Sequence, residues 1–272
     1  RTLDWQNNAT YQRFAGFDML NVGQSNVITA AKYDWVQAAV HVIASGEELR
    51  KNNGKEQLIN LSTAKVRNAM RTAANNMSID LFSSGALTNQ MGGLAAIITS
   101  DGTGTVGGIN SSTYTFWANQ YREMSGASTW SKSTVKGDMN AMWLTCVRGS
   151  DVPNLIISTN DFYAAYWEGQ QDLARYGDPS AKATTNQLPP ALKYANGADI
   201  VHDSNSNFTA TGEKMYFLNL DYLELCVHSQ ANWTQSEDKI PTNQDAVLIP
   251  IFFQGQLVCS NRARQGLLLD AS

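Results

Sequence analysis

Gly102, Gly104 and Gly107 stand at the spacing of a dinucleotide fingerprint, Gly-x-Gly-x-x-Gly, just after a short apolar run. Such a site needs a helix to open at the third glycine, so that its N-terminus receives the pyrophosphate. Here the chain continues Gly108-Ile109-Asn110-Ser111-Ser112-Thr113-Tyr114-Thr115, and the next acidic residue is Glu123. Those residues suit a loop or strand, so the glycines read as a flexible turn. A dinucleotide-binding enzyme using the 102–108 loop is kept as the alternative from another functional class. The histidines His41, His202 and His228 offer few metal ligands. Cys226 and His228 would share one face of a strand, but two ligands do not make a metal site. No Gly-x-Ser-x-Gly elbow and no Gly-Lys-Ser/Thr phosphate loop occurs. Asp161, Glu168 and Asp172 lie around one expected helix with Arg175 nearby, an arrangement that solvated pairing explains. Glu47-Glu48-Leu49-Arg50-Lys51 reads as a solvated turn or helix end. No catalytic, cofactor-binding or metal-binding residue is assigned.

The elements that carry these residues mix helix and strand without strict alternation, an α+β pattern. Residues 8–45 read as two long extended arms, 9–20 and 27–44, around the turn-forming cluster Asn21-Val22-Gly23-Gln24-Ser25-Asn26. Arms of that length protrude from a globular body, and Phe14, Phe17 and Tyr33 would then need another chain to cover them. Residues 55–84 read as a long helix, with Val66, Ala69, Met70, Ala73, Met77 and Leu81 recurring at three- and four-residue steps and Gly85 as a stop. That narrow stripe of small residues predicts close packing on a sheet or another helix. Leu94 to Thr99 reads as a short strand. Further helices are expected over 133–148 and 162–176, a strand over 155–158, a polar loop over 177–190, and extended segments over 198–202, 214–229 and 246–269.

Composition narrows the function classes. Charged residues make up only 16% of the 272, against roughly a quarter in an ordinary soluble chain. Uncharged polar and aromatic surface is cheaper to bury against another subunit than charged surface. The net charge of −4 and the lack of any long Lys/Arg run disfavour specific nucleic-acid binding. Cys146, Cys226 and Cys259 are odd in number, lie in apolar runs and form no Cys-x-x-Cys pair, so a reducing compartment is the simplest inference. Asn8, Asn60, Asn76, Asn110, Asn207 and Asn232 begin Asn-x-Ser/Thr triplets that reflect composition rather than glycosylation. No apolar stretch reaches membrane-spanning length.

The segment Tyr33-Asp34-Trp35-Val36-Gln37-Ala38, running on to His41-Val42-Ile43-Ala44-Ser45, resembles the major capsid proteins of tailed double-stranded DNA phages, the Hong Kong 97 type. The ending Phe252-Phe253-Gln254-Gly255-Gln256-Leu257-Val258-Cys259-Ser260-Asn261-Arg262-Ala263-Arg264 resembles that family's last strands. The likeness covers nearly the whole chain and rests on the order of its elements. It implies an extended E-loop hairpin, a long spine helix, a peripheral (P) domain and an axial (A) domain. On that pattern residues 1–8 are a remnant of the N-terminal arm, 9–45 the E-loop and 46–130 the P domain with its spine helix. Residues 131–245 are then the A domain, with the 177–190 loop near a capsomer axis, and 246–272 the strands returning through the P domain. Residues 46–60 are longer than in the simplest members, and the N-terminal arm is short.

The resemblance further implies a structural subunit that assembles with itself into hexamers and pentamers around packaged DNA, touched without sequence specificity. Portal and scaffold or decoration proteins would be its other partners, and no membrane is involved. The expected location is the virion capsid, assembled in the host bacterial cytoplasm. An encapsulin-like nanocompartment shell is the alternative within the fold. Arg13, Phe14, Phe17, Met19, Lys32, Tyr33 and Trp35 are the candidate subunit contacts. Some family members weld subunits through a Lys–Asn isopeptide bond from a lysine near the hairpin tip. Residues 9–31 contain no lysine, so a non-covalent shell is expected.

Overall fold

The computed structural model describes residues 1–23, 26–51, 61–124, 132–177, 192–205, 208 and 212–270. The front of the chain carries strands β1 (Thr2–Asp4), β2 (Ile28–Ala30) and β3 (Val36–Ser45), then helices α1 (Gly46–Lys51), α2 (Leu61–Leu81) and α3 (Leu94–Ile97). A small hairpin, β4 (Thr105–Val106) and β5 (Ile109–Asn110), precedes β6 (Gln120–Glu123). The middle holds α4 (Lys132–Cys146), β7 (Leu155–Ser158), α5 (Asn160–Gly177), β8 (Leu192–Lys193) and β9 (Asp199–His202). The chain closes with β10 (Lys214–Leu218), β11 (Leu223–Gln235), β12 (Ala246–Cys259) and β13 (Gly266–Leu269). Residues 178–190 of the expected 177–190 loop lie outside the described residues, as do residues 52–60 before α2.

Two sheets organise the body. The larger has the order β6-β13-β10-β7-β9-β8, with β13–β6 and β7–β9 parallel and the other pairs antiparallel. All five residues of β10 are buried, because both faces of this sheet are covered. Side chains alternate along the strand. Met215 and Phe217 therefore join Met139, Met142, Cys146 and Phe162 of α4 and α5. Tyr216 and Leu218 join Phe82, Leu94, Ile97 and Leu257 on the opposite side.

The second sheet has the order β11-β12-β3 and is antiparallel throughout. Helix α2 lies across it on the small-residue stripe: buried Ala69 and half-buried Val66 meet Val42, Ile251 and Ile249. The register of β11 on β12 slips after Val227 and again after Asn232. The slips turn Trp233 to a positive φ of 51° and stack it on Phe253 at 5.1 Å. Left-handed backbone is costly for a tryptophan, and the stacked ring offsets that cost. The Glu47–Lys51 charge cluster forms α1. Its start is closed by reciprocal bonds, Glu48 N donating to Ser45 Oγ and Ser45 N to Glu48 Oε2, both 3.2 Å.

The run 94–99, expected as a strand, instead forms the single helical turn α3. Leu94, Ile97 and Ile98 are buried at helical spacing, and a short apolar run carries no period long enough to separate the two states. The Ile97 carbonyl is taken by Arg262, a fully buried guanidinium. Arg262 Nε donates to Ile97 O at 2.6 Å and Nη1 to Trp117 O at 3.1 Å. Nη2 reaches Asn119 Oδ1 at 2.8 Å and Thr99 Oγ1 at 3.4 Å. One side chain from the end of the chain thus ties together α3, the segment after it and the approach to β6.

Burial pushes the thiols of Cys146 and Cys259 up to about 12. It does the same for the phenols of Tyr33 and Tyr194. These groups hold their protons in the folded chain, whereas the unfolded chain releases them near pH 8.5 to 10. Each raised pKa favours folding fully below the unfolded value, and that contribution is lost as pH rises toward the folded one. Urea midpoints should therefore be flat to about pH 8 and fall steadily toward pH 12, by about 2 kcal/mol per buried thiol at pH 10. A flat profile through pH 11 would contradict the burial of these groups.

Candidate assembly surface

Strands β1 and β2 pair antiparallel, Thr2 opposite Ala30 and Asp4 opposite Ile28, and close the neck of a long excursion. Trp5 N donates to Val27 O at 3.0 Å, the last backbone bond joining its two arms among the described residues. Beyond it the arms form no ladder among the described residues; side chains brace them instead. Gln12 Nε2 donates to Met19 O at 2.9 Å, and Gln12 Oε1 accepts from Asn21 N at 3.1 Å. Asn21 Nδ2 reaches Ala9 O at 3.2 Å. The tip is a turn at Ala15–Asp18, with Gly16 at a positive φ of 58° and the Asp18 carboxylate accepting from Ala15 N. The chain therefore reverses at Gly16, not at 21–26 as the turn-forming cluster suggested. Asn21 and Gly23 belong to the returning arm.

Phe14, Phe17 and Met19 project from this tip, with exposures of 63%, 106% and 93%. Tyr11, Leu20 and Val22, which the sequence reading did not single out, are exposed beside them. Arg13 is exposed too. A full set of large apolar side chains held in water is a surface awaiting cover, since burying each is worth about 1.5–3 kcal/mol.

The other candidates sit at the base. Tyr33 does not face outward. Its ring is half-buried against Leu3, Ala31, Ile109 and Trp117, and its hydroxyl donates to Cys259 O at 3.0 Å. An aromatic beside Trp35 was expected in the open, but its hydroxyl found a backbone partner inside. Trp35 is 52% exposed and meets His228 edge-on at 6.0 Å. Lys32 is exposed, with its backbone N–H donating to Gly107 O at 2.9 Å. The candidates thus separate into a tip group (Arg13, Phe14, Phe17, Met19) and a base group (Lys32, Trp35), with Tyr33 serving the interior.

The glycine loop belongs to this base. Gly107 and Gly108, both at positive φ, make the two-residue turn between β4 and β5, and a strand, not a helix, opens after them. A Cβ on Gly107 would stand 2.9 Å from Ala31 Cβ. The glycines therefore allow the small hairpin to dock on the returning arm just past β2, and a phosphate cradle is not formed. Cys226 takes a contact from Arg1 Nη2 at 3.6 Å, and His228 Nδ1 accepts from Gln230 N. No group of three His, Cys, Asp or Glu side chains converges among the described residues. Asp161 and Glu168 are exposed on α5; the side chains of Asp172 and Arg175 lie outside the described residues. No described helix is long and apolar enough to cross a membrane.

The outer strands β3 and β11 each pair on one side only among the described residues. Their free edges, like those of β6 and β8 in the larger sheet, stay open beside the excursion among the described residues.

No family model and no curated protein sequence matches the chain. Solved structures do. The capsid of an empty GTA particle aligns with a TM-score of 0.61 at 12% identity, over 96% of this chain and 81% of that one. The capsid of Myoviridae Phage XM1 aligns at 0.57 and 10% identity, over 95% and 81%. The holo-SrpI encapsulin complex from Synechococcus elongatus PCC 7942 aligns at 0.57 and 9% identity, over 88% and 76%. The fold is α+β and of the Hong Kong 97 capsid type.

Proposed function

We propose that this chain is the structural subunit of an icosahedral phage capsid, a major capsid protein and not an enzyme, that assembles with itself into hexamers and pentamers around packaged DNA. The observation that carries the reading is the braced excursion, which presents Phe14, Phe17 and Met19 to solvent on a chain whose fold matches the capsids of a GTA particle and of a phage. In this reading the excursion is the E-loop and α2 is the spine helix. The β11-β12-β3 sheet is the core of the P domain, and the six-stranded sheet with α4 and α5 that of the A domain. The tip lies on a neighbouring subunit, with Arg13 at its flank and Lys32 and Trp35 at its base. Portal, scaffold or decoration proteins and the enclosed DNA are its further partners, in a virion assembled in the bacterial cytoplasm.

The fold is shared with an encapsulin, so a nanocompartment shell is the second reading. Particles purified from the native source separate the two: a phage shell carries DNA, and a nanocompartment carries protein cargo. The expressed chain should sediment as megadalton particles, and a species of a few subunits would overturn both. No lysine lies between Ala9 and Ala31, and a guanidinium such as Arg13 is a poor nucleophile. Particles boiled in denaturing detergent with reductant should therefore run as one band at the mass of a single chain. A ladder of heavier covalent species would refute the non-covalent shell and point first to Lys32.

A further inference from the structure

Between β1, the turn after β5, the end of α4 and the segment joining β12 to β13 lies a cavity of about 440 Å³. Arg264 stands in its wall and is only 9% exposed. Its Nη1 donates to Cys146 O at 3.4 Å, a long bond that caps the end of α4. Its Nε is buried without a partner, and no ion pair neutralises the guanidinium among the described residues. A desolvated cation in that state is costly unless an anion meets it. Arg262, two residues away, shows the contrast: each of its guanidinium nitrogens has an acceptor.

Arg148 is exposed and lines the same cavity, as do Asn261 and Gln120. The one carboxylate in the lining is Asp4, so the wall carries two fixed positive charges against one negative. Trp5 and Phe116, stacked at 5.3 Å, form the apolar side and lower the local dielectric, which strengthens any ion pair made there.

We infer that this cavity is a binding site for one compact oxyanion, a phosphate or carboxylate group, held by Arg264 and Arg148. The anion has two possible sources, a dissolved ion or an acidic side chain of a second copy of this chain. The site does not depend on the shell reading.

The probe is inorganic phosphate, titrated into the soluble full-length chain at fixed ionic strength and followed by calorimetry and by phosphorus NMR line width. Saturable binding is expected. Loss of one charge-assisted contact in Arg148→Gln should weaken it about tenfold, and Arg264→Met should abolish it. Arg148 is exposed, so its variant keeps the test valid if Arg264→Met does not fold. Non-saturable uptake, or equal affinity in Arg148→Gln, would overturn the site. Repeating the titration on assembled particles identifies the source. Binding retained there assigns a dissolved ion, and binding lost on assembly assigns a neighbour's carboxylate. Particles that form normally from a chain that takes no phosphate would sink the anion site and leave the capsid reading intact.

Discussion

A chain carrying Phe14→Ser, Phe17→Ser and Met19→Ser together is expected to fold as before and to form no particles. None of the three side chains belongs to a core cluster, and their exposures of 63%, 106% and 93% leave the folded chain little to lose. Its melting temperature should stay within about 2 °C of the parent, as for other exposed substitutions. In a shell each tip would bury those side chains on a neighbour, at about 1.5–3 kcal/mol for each one fully covered. Three losses repeated at every subunit raise the concentration needed for assembly by several orders of magnitude, since about 1.4 kcal/mol is a factor of ten. Sedimentation of the variant should show subunits or single capsomers only. Particles at parental yield would place the assembly energy elsewhere, on the open edges of β3 and β11. A large drop in melting temperature would mean the tip packs on its own chain.

The second large effect falls on Arg262. Arg262→Met should destabilise the folded chain by about 4 kcal/mol or more, enough to leave much of it insoluble at 37 °C. Replacing a buried charge with an apolar group can be neutral when the whole polar network goes with it. Here the network stays: the carbonyls of Ile97 and Trp117 keep their places and lose their donor, while Asn119 Oδ1 keeps only its bonds from Thr99. Each orphaned acceptor costs about 1–3 kcal/mol. Arg262→Lys is the more telling variant, because an ammonium keeps the charge but cannot span acceptors on three segments. It too should lower the urea midpoint, through a loss of about 2 kcal/mol or more. A lysine variant as stable as the parent would show that charge alone, and not the fork of donors, holds α3 to the end of the chain.

How much of this was legible in the residues depends on the range of the interaction. The spacing of Val66, Ala69 and Ala73 predicts the stripe by which α2 meets the sheet, because helical period is local. Strand β7 and helices α4 and α5 read through for the same reason. The excursion reads as protruding because its length exceeds what a body can cover, yet its tip was misplaced. Asn21-Val22-Gly23 has turn chemistry, but Gln12 claims Asn21 for the returning arm and Gly16 with Asp18 makes the reversal. Tyr33 illustrates the limit at a single residue, since its partner, the Cys259 carbonyl, lies 226 positions away. The sequence reading assigns Arg262 and Arg264 no place beyond the ending that resembles the family's last strands, and only the folded chain shows Arg262 wholly covered and Arg264 nearly so. The glycine loop has the composition of a phosphate binder and the conformation of a hairpin, and what separates them is that a strand, not a helix, opens after it.

The contact between Gly107 and Ala31 also has a mechanical side. Gly107 abuts Ala31 so closely that no side chain fits between them, and the Lys32 backbone is tied to the same loop. The small β4–β5 hairpin is therefore a fulcrum under the returning arm of the excursion. At roughly 3.3 Å per residue the arm from Trp5 to Gly16 reaches at most about 36 Å, and a rotation of about 5° at its base carries the tip about 3 Å. Leverage of that order turns an angstrom-scale change at the heel into a displacement as large as a side chain at the toe. A single methyl at position 107 would press on Ala31 at the root of the arm, far from every atom of its tip.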